Sequence, residues 1–468
     1  LILQVQLLGG TDRWADMVQW FAYAGSAVAV SVVARSLGGG LRSQLLAAVF
    51  AATLPMACLQ SGTTQNDMVS AFWFTCFIAA LLRLVSPLSP KARLTCACLC
   101  GGSLGLALLT KSTMYLLTAP FGVGLAALLL WRHRLRGFGW LAVVGLLAAS
   151  LNGPTWLRNQ RFTHSILGNG GYGTVSGQYT NLHPGPGPAV SNILRTVGLE
   201  LVVNYPPIND AVERSVRTVH HWIGLDPDDP ATTFGATTRY QLSHIAWNSE
   251  DYCPGPFHAI LIFAGLLTMI LGWRRPNRAV RWYAAGVAAG FVLFCTFLRY
   301  QPWHCRLLLP PMIASGAFVA IALDRQWKRG IPTAVFAILP LLVAPWILDG
   351  YLHPMFGPDS IFDQPRQELY FREHWELLPS YRAIVEVAEK NGVRQVAVIG
   401  DGDAWEYPLT SMLRDRLPDV RVDAFPDRLT CPAKMLHTRN RGYDPNLKPC
   451  LIVRLVGDKA EVVQLLPK

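Results

Sequence analysis

Apolar runs of roughly 16 to 20 residues recur from Gln19 to Leu348 and then stop. A helix rising 1.5 Å per residue needs about 20 such residues to cross a hydrocarbon core of about 30 Å. Repetition of that unit defines a polytopic α-helical membrane protein. The runs lie at about 18–35, 43–60, 68–85, 94–110, 113–131, 138–152, 256–272, 282–298, 306–323 and 330–347, which predicts about ten transmembrane helices. With 51% hydrophobic and only 15% charged residues, the chain of 468 residues has the composition such a fold demands.

Charge then orders the links between runs. Arg35 and Arg42, the group Arg83, Lys91 and Arg93, the group Arg132, Arg134 and Arg136, the group Arg274, Arg275, Arg278 and Arg281, and the group Arg325, Lys328 and Arg329 occupy every second link. The excess of Lys and Arg in cytoplasmic links places this set in the cytoplasm. Residues 153–255, the C-terminal region and residues 1–17 then face the opposite side. A chain that starts in the cytoplasm needs one more span upstream for this arrangement. The sequence, which opens at Leu1 with no signal-peptide pattern, is therefore read as beginning after such a span. The net charge of +11 is dispersed among the links, which argues against nucleic acid as a partner and for membrane lipids.

Two polar regions interrupt the apolar pattern. Residues 153–255 are too long for a plain connector. Within them, 188–204 and 208–224, divided by Tyr205-Pro-Pro207, are predicted to be amphipathic helices lying on the membrane face as a lid or substrate platform. The glycine-rich Gly168–Gly177 lacks the strand and helix that a phosphate-cradling loop requires. Residues 348–468 predict a small α/β domain. Its helix at 381–391 ends at Gly392, a strand follows at 395–399, a second helix lies at 408–416, and strands lie at 421–425, 451–455 and 461–466. Gly400-Asp-Gly-Asp403 fits a strand-to-loop turn better than a cation site. The predicted divisions are the end of an outer loop at 1–17, six spans in 18–152, an outer loop at 153–255, four spans in 256–347 and the outer domain at 348–468.

Cys96, Cys98 and Cys100 sit in a run of Leu, Ala and Gly and read as small buried apolar residues. Cys431 and Cys450 lie in the polar C-terminal region and form a candidate disulfide if that region is outside the cytoplasm.

The residues suited to chemistry gather at the outer link ends. Asp67 is the only carboxylate in the link 60–67 and directly precedes Met68 and a span. It is a candidate helix cap and a candidate ligand for a metal or an acceptor. Lys111 lies against the overall charge trend, as a snorkelling side chain or as a partner for a lipid phosphate. Asn152-Gly-Pro-Thr-Trp-Leu-Arg-Asn-Gln-Arg161 supplies Arg158 and Arg161, with Trp156 at interfacial depth and Asn159 suited to orient a hydroxyl or phosphate oxygen. Gln301-Pro-Trp-His-Cys-Arg306 repeats that chemistry with Trp303, His304 and Arg306, whose planar fork matches phosphate oxygens. A lone His at such an interface is more commonly a hydrogen-bonded packing residue than a proton carrier, and His220-His221 is a weak metal signal. Lys111, Arg158 and Arg306 at three outer span ends together indicate an anionic, lipid-linked ligand. No catalytic triad or zinc-hydrolase pattern occurs.

Five segments in order carry a family resemblance: Arg35-Ser-Leu-Gly38; Leu54-Pro55 followed by Gln65-Asn-Asp67; Gly105-Leu-Ala-Leu-Leu-Thr-Lys111; Gly153-Pro-Thr-Trp-Leu-Arg-Asn159; and Gln301-Pro-Trp-His-Cys-Arg-Leu-Leu-Leu-Pro310. Through them, residues 1–347 resemble polytopic glycosyltransferases of the GT-C superfamily. The narrower likeness is to the bacterial family related to protein O-mannosyltransferases and lipid A aminoarabinose transferases. The resemblance implies transfer of a sugar from a polyprenyl-phosphate-linked donor to an envelope lipid, glycan or protein acceptor on the outer face of the bacterial inner membrane. It implies catalytic roles for Asp67, Lys111, Arg158 and Arg306, and substrate contacts from Asn159, Arg161, Trp156, Trp303 and His304. A divalent cation is left open, because related enzymes differ in needing one. In that family a carboxylate in the first outer loop acts as base or activates the acceptor, and its position here is expected to precede Leu1. Two competing functions are kept: a transporter or flippase, which favours internal repeats and interrupted helices, and a non-catalytic envelope assembly or lipid-binding protein, which needs no such carboxylate.

Overall fold

The computed structural model describes residues 2–9, 12–167, 179–235, 238–243, 245–271, 277–328, 330–400, 405–426, 450–456 and 459–466. They form two compact units, one of residues 1–157 and 177–351, the other of residues 158–176 and 352–468. Gly168–Gly177, Arg274, Arg275, Arg329, Asp401–Asp403 and Cys431 lie outside the described residues. The glycine-rich loop, the cation reading of Gly400–Asp403 and the Cys431–Cys450 pairing fall there with them.

The first unit is helical. In chain order it contains α1 (Ile2–Gly9), α2 (Met17–Ser36), α3 (Leu41–Ala52), α4 (Pro55–Gln60), α5 (Asp67–Leu84), α6 (Pro90–Thr110), α7 (Met114–His133) and α8 (Leu135–Thr163), whose residues from Arg158 onward are counted with the second unit. There follow α9 (Pro186–Glu200), α10 (Pro206–Trp222), α11 (Pro256–Leu271), α12 (Arg278–Phe297), α13 (His304–Leu307), α14 (Leu309–Gln326) and α15 (Gly330–Leu348). Proline opens α4, α6, α9, α10 and α11, where its fixed φ suits the helix and its missing N–H removes no internal bond. Asn277 accepts from the Val280 N–H at 2.9 Å to cap α12 and donates to the Leu37 carbonyl at 3.0 Å, closing the end of α2. Gly38, at φ +88°, makes the turn there.

Among the described residues, seven helices are long and apolar enough to cross a membrane: α2, α5, α6, α7, α8, α12 and α15. The other predicted runs take different forms. The run 43–60 breaks into α3 and α4 at Thr53 and Leu54, because Pro55 cannot continue the hydrogen-bond ladder. The run 256–272 is the shorter apolar helix α11, and 306–323 divides into α13 and α14. The short span expected at 138–152 is instead a 29-residue helix that passes through Pro154 to Thr163. The Asn152 amide bonds the Ala148 and Gly105 carbonyls at 2.9 Å each, joining α8 to α6.

Helix α14 is the axis of the bundle. From Leu309 to Leu323 every residue but Met312 is buried, packed by α2, α3, α5, α11 and α12. Apolar helices in lipid gain no water-driven attraction, so close contact depends on small residues. Gly101 and Gly105 of α6 serve that purpose against α8. A Cβ at Gly101 would stand 2.7 Å from the Val144 carbonyl oxygen, and one at Gly105 3.0 Å from the Ala148 Cα. Gly101→Val is therefore expected to destabilise the bundle by about 1–3 kcal/mol. Gly102→Ala, with open space at its Cβ, is expected to be neutral. Thermal unfolding in detergent separates the two.

The links fall into two groups in space. At one end Arg42 pairs with Asp324 at 2.9 Å and donates to Thr333, Asn277 reaches Leu37, and Arg132 donates to the Val85 carbonyl. At the other end the link 60–67, Lys111, the segment 249–255 and Arg306 contact one another. These are the two alternating sets that the charge pattern separates.

The second unit carries the α/β fold, with α16 (Arg366–Leu369), α17 (Leu378–Lys390), β1 (Gln395–Gly400), α18 (Glu406–Arg416), β2 (Arg421–Pro426), β3 (Cys450–Val456) and β4 (Lys459–Leu466). The sheet order is β2-β1-β3-β4; β1 is parallel to both neighbours and β4 antiparallel to β3. The apolar stripe Leu378, Tyr381, Ile384, Val385 and Ala388 of α17 joins Val396, Val398 and Leu451 in one core, and Gly392 at φ +54° ends the helix.

Candidate active site

The site is built on three glutamines at the end of the bundle where α4 stops. Gln60 is fully buried; its amide nitrogen donates to the Glu250 carbonyl at 2.6 Å and to the Gln65 side-chain oxygen at 3.1 Å. Gln19 donates to Gln60 at 3.3 Å and accepts from the Val69 N–H at 3.1 Å. Buried amides satisfied on both sides hold the link 60–67 in one arrangement. Gln65 then presents its nitrogen to Asp251 at 3.0 Å and its oxygen to Arg306 Nη1 at 2.6 Å.

Asp67 opens α5 with only 2% of its side chain exposed, and it forms an ion pair with Lys111. Asn66 reinforces the pairing by donating to the Thr110 carbonyl at 2.9 Å, lashing the start of α5 to the end of α6. The α5 N-cap, Asn66, makes no side-chain capping bond, and Asp67 lies in the first turn, where a carboxylate suits the helix dipole. Burial lowers the Lys111 pKa and Asp67 opposes that shift; Asp67 and Gln65 of one link hold Lys111 and Arg306 respectively.

Arg306 is the second cation. Its Nη1 is shared between Gln65 and Asp251. Its Nε is buried and, among the described residues, has no partner; the same holds for the Thr113 hydroxyl, two residues beyond Lys111. The guanidinium is thus anchored through Nη1 and leaves its Nε–H without a protein partner among the described residues.

The remaining sequence-predicted residues fall in different places. Trp156 donates to the Tyr115 hydroxyl at 2.7 Å, joining α8 to α7. Trp303 stands edge-on to Phe234 with centroids 5.6 Å apart and lies near Tyr252, the neighbour of Asp251. His304 is fully buried, with Nδ1 bonded to the Thr196 hydroxyl and Nε2 to the Arg299 carbonyl, both at 2.9 Å. Burial holds its pKa near 3, so it is a neutral packing residue with no nitrogen left for a substrate. Arg158, Asn159 and Arg161 belong to the second unit, where Asn159 donates to the Ile166 carbonyl at 3.2 Å and fastens the end of α8.

Sequence reading missed Asp251, Gln60 and Gln19. The acidic pair Glu250-Asp251, directly before the run at 256, was the available signal for the first. Uncharged glutamines inside apolar runs gave none. Among the described residues, no group of three or more His, Cys, Asp or Glu side chains is arranged to hold a metal ion.

No protein-family model matches the sequence, nor does any curated protein. The chain is similar to the solved structures of ArnT from Cupriavidus metallidurans, in the apo state and bound to undecaprenyl phosphate. Each has a TM-score of 0.49 at 14% identity over 97% of this chain, and 80% and 81% of those chains are covered. It is also similar to the Archaeoglobus fulgidus oligosaccharyltransferase in the apo form, with a TM-score of 0.45 at 11% identity over 90% of this chain and 55% of that one.

Proposed function

We propose that this chain is a membrane glycosyltransferase that moves a sugar from a polyprenyl-phosphate-linked donor to an envelope lipid, glycan or protein acceptor. One observation carries the reading. Lys111, paired with Asp67, and Arg306, bonded to Gln65 of the same link, lie at one end of the bundle, and among the described residues the Arg306 Nε there has no partner. The family resemblance of the ordered segments around both residues supports the same conclusion.

In this reading the acceptor hydroxyl attacks the anomeric carbon while the bond to the lipid phosphate breaks, and its proton passes to the released phosphate, directly or through water. Lys111 and Arg306 stabilise the negative charge that gathers on the departing phosphate, which is where fixed positive groups lower a barrier most. Asp67 keeps Lys111 charged and aimed, and Gln65 and Asp251 aim Arg306. Trp156 and Trp303 are proposed to line the approach to the phosphate. The positive-inside pattern supports an extracytoplasmic site, and the family resemblance supports a bacterial inner membrane.

The test is transfer in proteoliposomes with a panel of radiolabelled polyprenyl-phosphate sugars and envelope acceptor fractions. Label moving into an acceptor supports the reading. Label that crosses the bilayer still attached to its carrier would make the protein a flippase instead.

A further inference from the structure

The connection from α12 to α13 runs between two loop segments. On one side the Arg299 N–H donates to the Tyr179 carbonyl at 3.0 Å and the Asn181 N–H to the Phe297 carbonyl at 2.9 Å. On the other the Tyr300 N–H donates to the Thr232 carbonyl at 2.8 Å and the Phe234 N–H to the Tyr300 carbonyl at 2.9 Å. Arg195 of α9, fully buried, fixes the second segment by donating to the Thr233 and Thr232 hydroxyls at 2.7 and 2.9 Å. This frame brings four rings into one row. Tyr179 stacks on Phe234 with centroids 4.9 Å apart, Phe234 meets Trp303 edge-on at 5.6 Å, and Tyr252 tilts against Trp303 at 6.5 Å. All four are partly exposed, Tyr179 by 44%. The row begins beside Arg299, whose Nε donates to the Thr180 carbonyl at 2.9 Å and whose two Nη groups have no partner among the described residues. It ends at Tyr252, next in sequence to Asp251, the ion-pair partner of Arg306.

We propose that this aromatic row is the acceptor site and that the acceptor is a saccharide whose sugar rings lie against it. The inference rests on the glycosyltransferase reading for the ligand's role as acceptor, though not for saccharide binding itself.

A pyranose carries patches of C–H groups and a rim of hydroxyls. The electron-rich face of an aromatic ring suits the first, and a planar guanidinium or carboxylate suits hydroxyls at the edge. The row supplies the rings, with Arg299 at one end and Asp251 at the other. A lipid tail would gain nothing from those polar ends. An extended peptide needs unpaired backbone to pair with, and every backbone N–H and C=O of residues 298–300 is already bonded within the protein. Because the row ends at the segment that holds Arg306, a saccharide lying along it reaches the proposed phosphate site with one end.

The test uses the full chain in nanodiscs with Tyr179→Ala, Tyr179→Phe and Trp303→Ala. Tyr179 is the most exposed of the four rings, so its removal disturbs folding least. Equilibrium binding of radiolabelled envelope oligosaccharides, with no donor present, reads the site alone. Affinity is expected to fall about fivefold in Tyr179→Ala and about tenfold in Trp303→Ala, the scale of one aromatic contact, and to be restored in Tyr179→Phe. In the transfer assay Tyr179→Ala is expected to raise KM for the oligosaccharide by the same factor while KM for the polyprenyl-phosphate sugar stays at the wild-type value. No oligosaccharide binding by the folded wild type, or equal affinity in the wild type and both alanine variants, overturns the proposal. So does transfer confined to protein or to sugar-free lipid, and so does a rise in donor KM in place of oligosaccharide KM, which would give the rings to the donor's own sugar. Ring-dependent oligosaccharide binding without transfer from any donor retains the saccharide site and removes the glycosyltransferase reading.

Discussion

Asp67→Ala is expected to destabilise the helical unit by about 3–5 kcal/mol and to abolish transfer. The size follows from what the substitution leaves behind. Lys111 is desolvated, and Asp67 is its ion-pair partner. Removing one member of a buried pair strands the other charge, which costs more than the pair itself contributes. The double variant Asp67→Ala/Lys111→Met removes both charges and fills the space with a flexible apolar chain. It is expected to recover most of the lost stability and none of the activity. Unfolding in detergent and sugar transfer, measured on the same preparations, give the two answers. Recovery of transfer in the double variant would remove Lys111 and Asp67 from the mechanism.

Arg306→Ala is expected to weaken polyprenyl phosphate binding by about 100-fold, the scale of charge-assisted hydrogen bonds to a phosphate. Arg306→Lys should recover little. One ammonium cannot hold Gln65 and Asp251 while also presenting a second pair of donors to the ligand. Asp251→Asn should act in the opposite direction and tighten binding several-fold, because it leaves the guanidinium in place and removes a competing negative charge. Equilibrium binding in nanodiscs distinguishes these outcomes. Equal weakening by Arg306→Ala and Asp251→Asn would mean that the pair is a structural clamp rather than half of an anion site.

The membrane architecture was legible because two signals act along the chain itself: run length against bilayer thickness, and the alternation of Arg and Lys in the links. Both survive in the way Arg42 meets Asp324 at one end and Asp67 meets Lys111 at the other. The C-terminal elements were legible for a similar reason, since Gly392 ends a helix and the alternating or β-rich runs after it form the strands. Local rules failed at Pro154, a residue that usually stops a helix and here lies inside one of 29 residues.

The site was only half visible. Asp67, Lys111 and Arg306 stood out as charges at span ends, but their partners are set by tertiary packing. Asp251 comes from a position 55 residues before Arg306, and Gln19 reaches Gln60 across 41 residues. Helix α9 forms where its pattern implied, but the partners of its polar residues, backbone groups of a distant segment, are set by tertiary packing. Periodicity identifies the two faces of a helix and does not say which one is buried when the buried surroundings are themselves polar.

The central claim is that the Lys111 and Arg306 end of the bundle cleaves the bond between a sugar and a lipid phosphate. Its most direct measurement is mass-spectrometric detection of free polyprenyl phosphate after incubating the reconstituted chain with polyprenyl-phosphate sugars and acceptor. Release in step with sugar transfer by the wild type, and its loss in Arg306→Ala protein that remains folded, is the predicted result. Undiminished release by Arg306→Ala, or no release by the folded wild type with any donor, would contradict it.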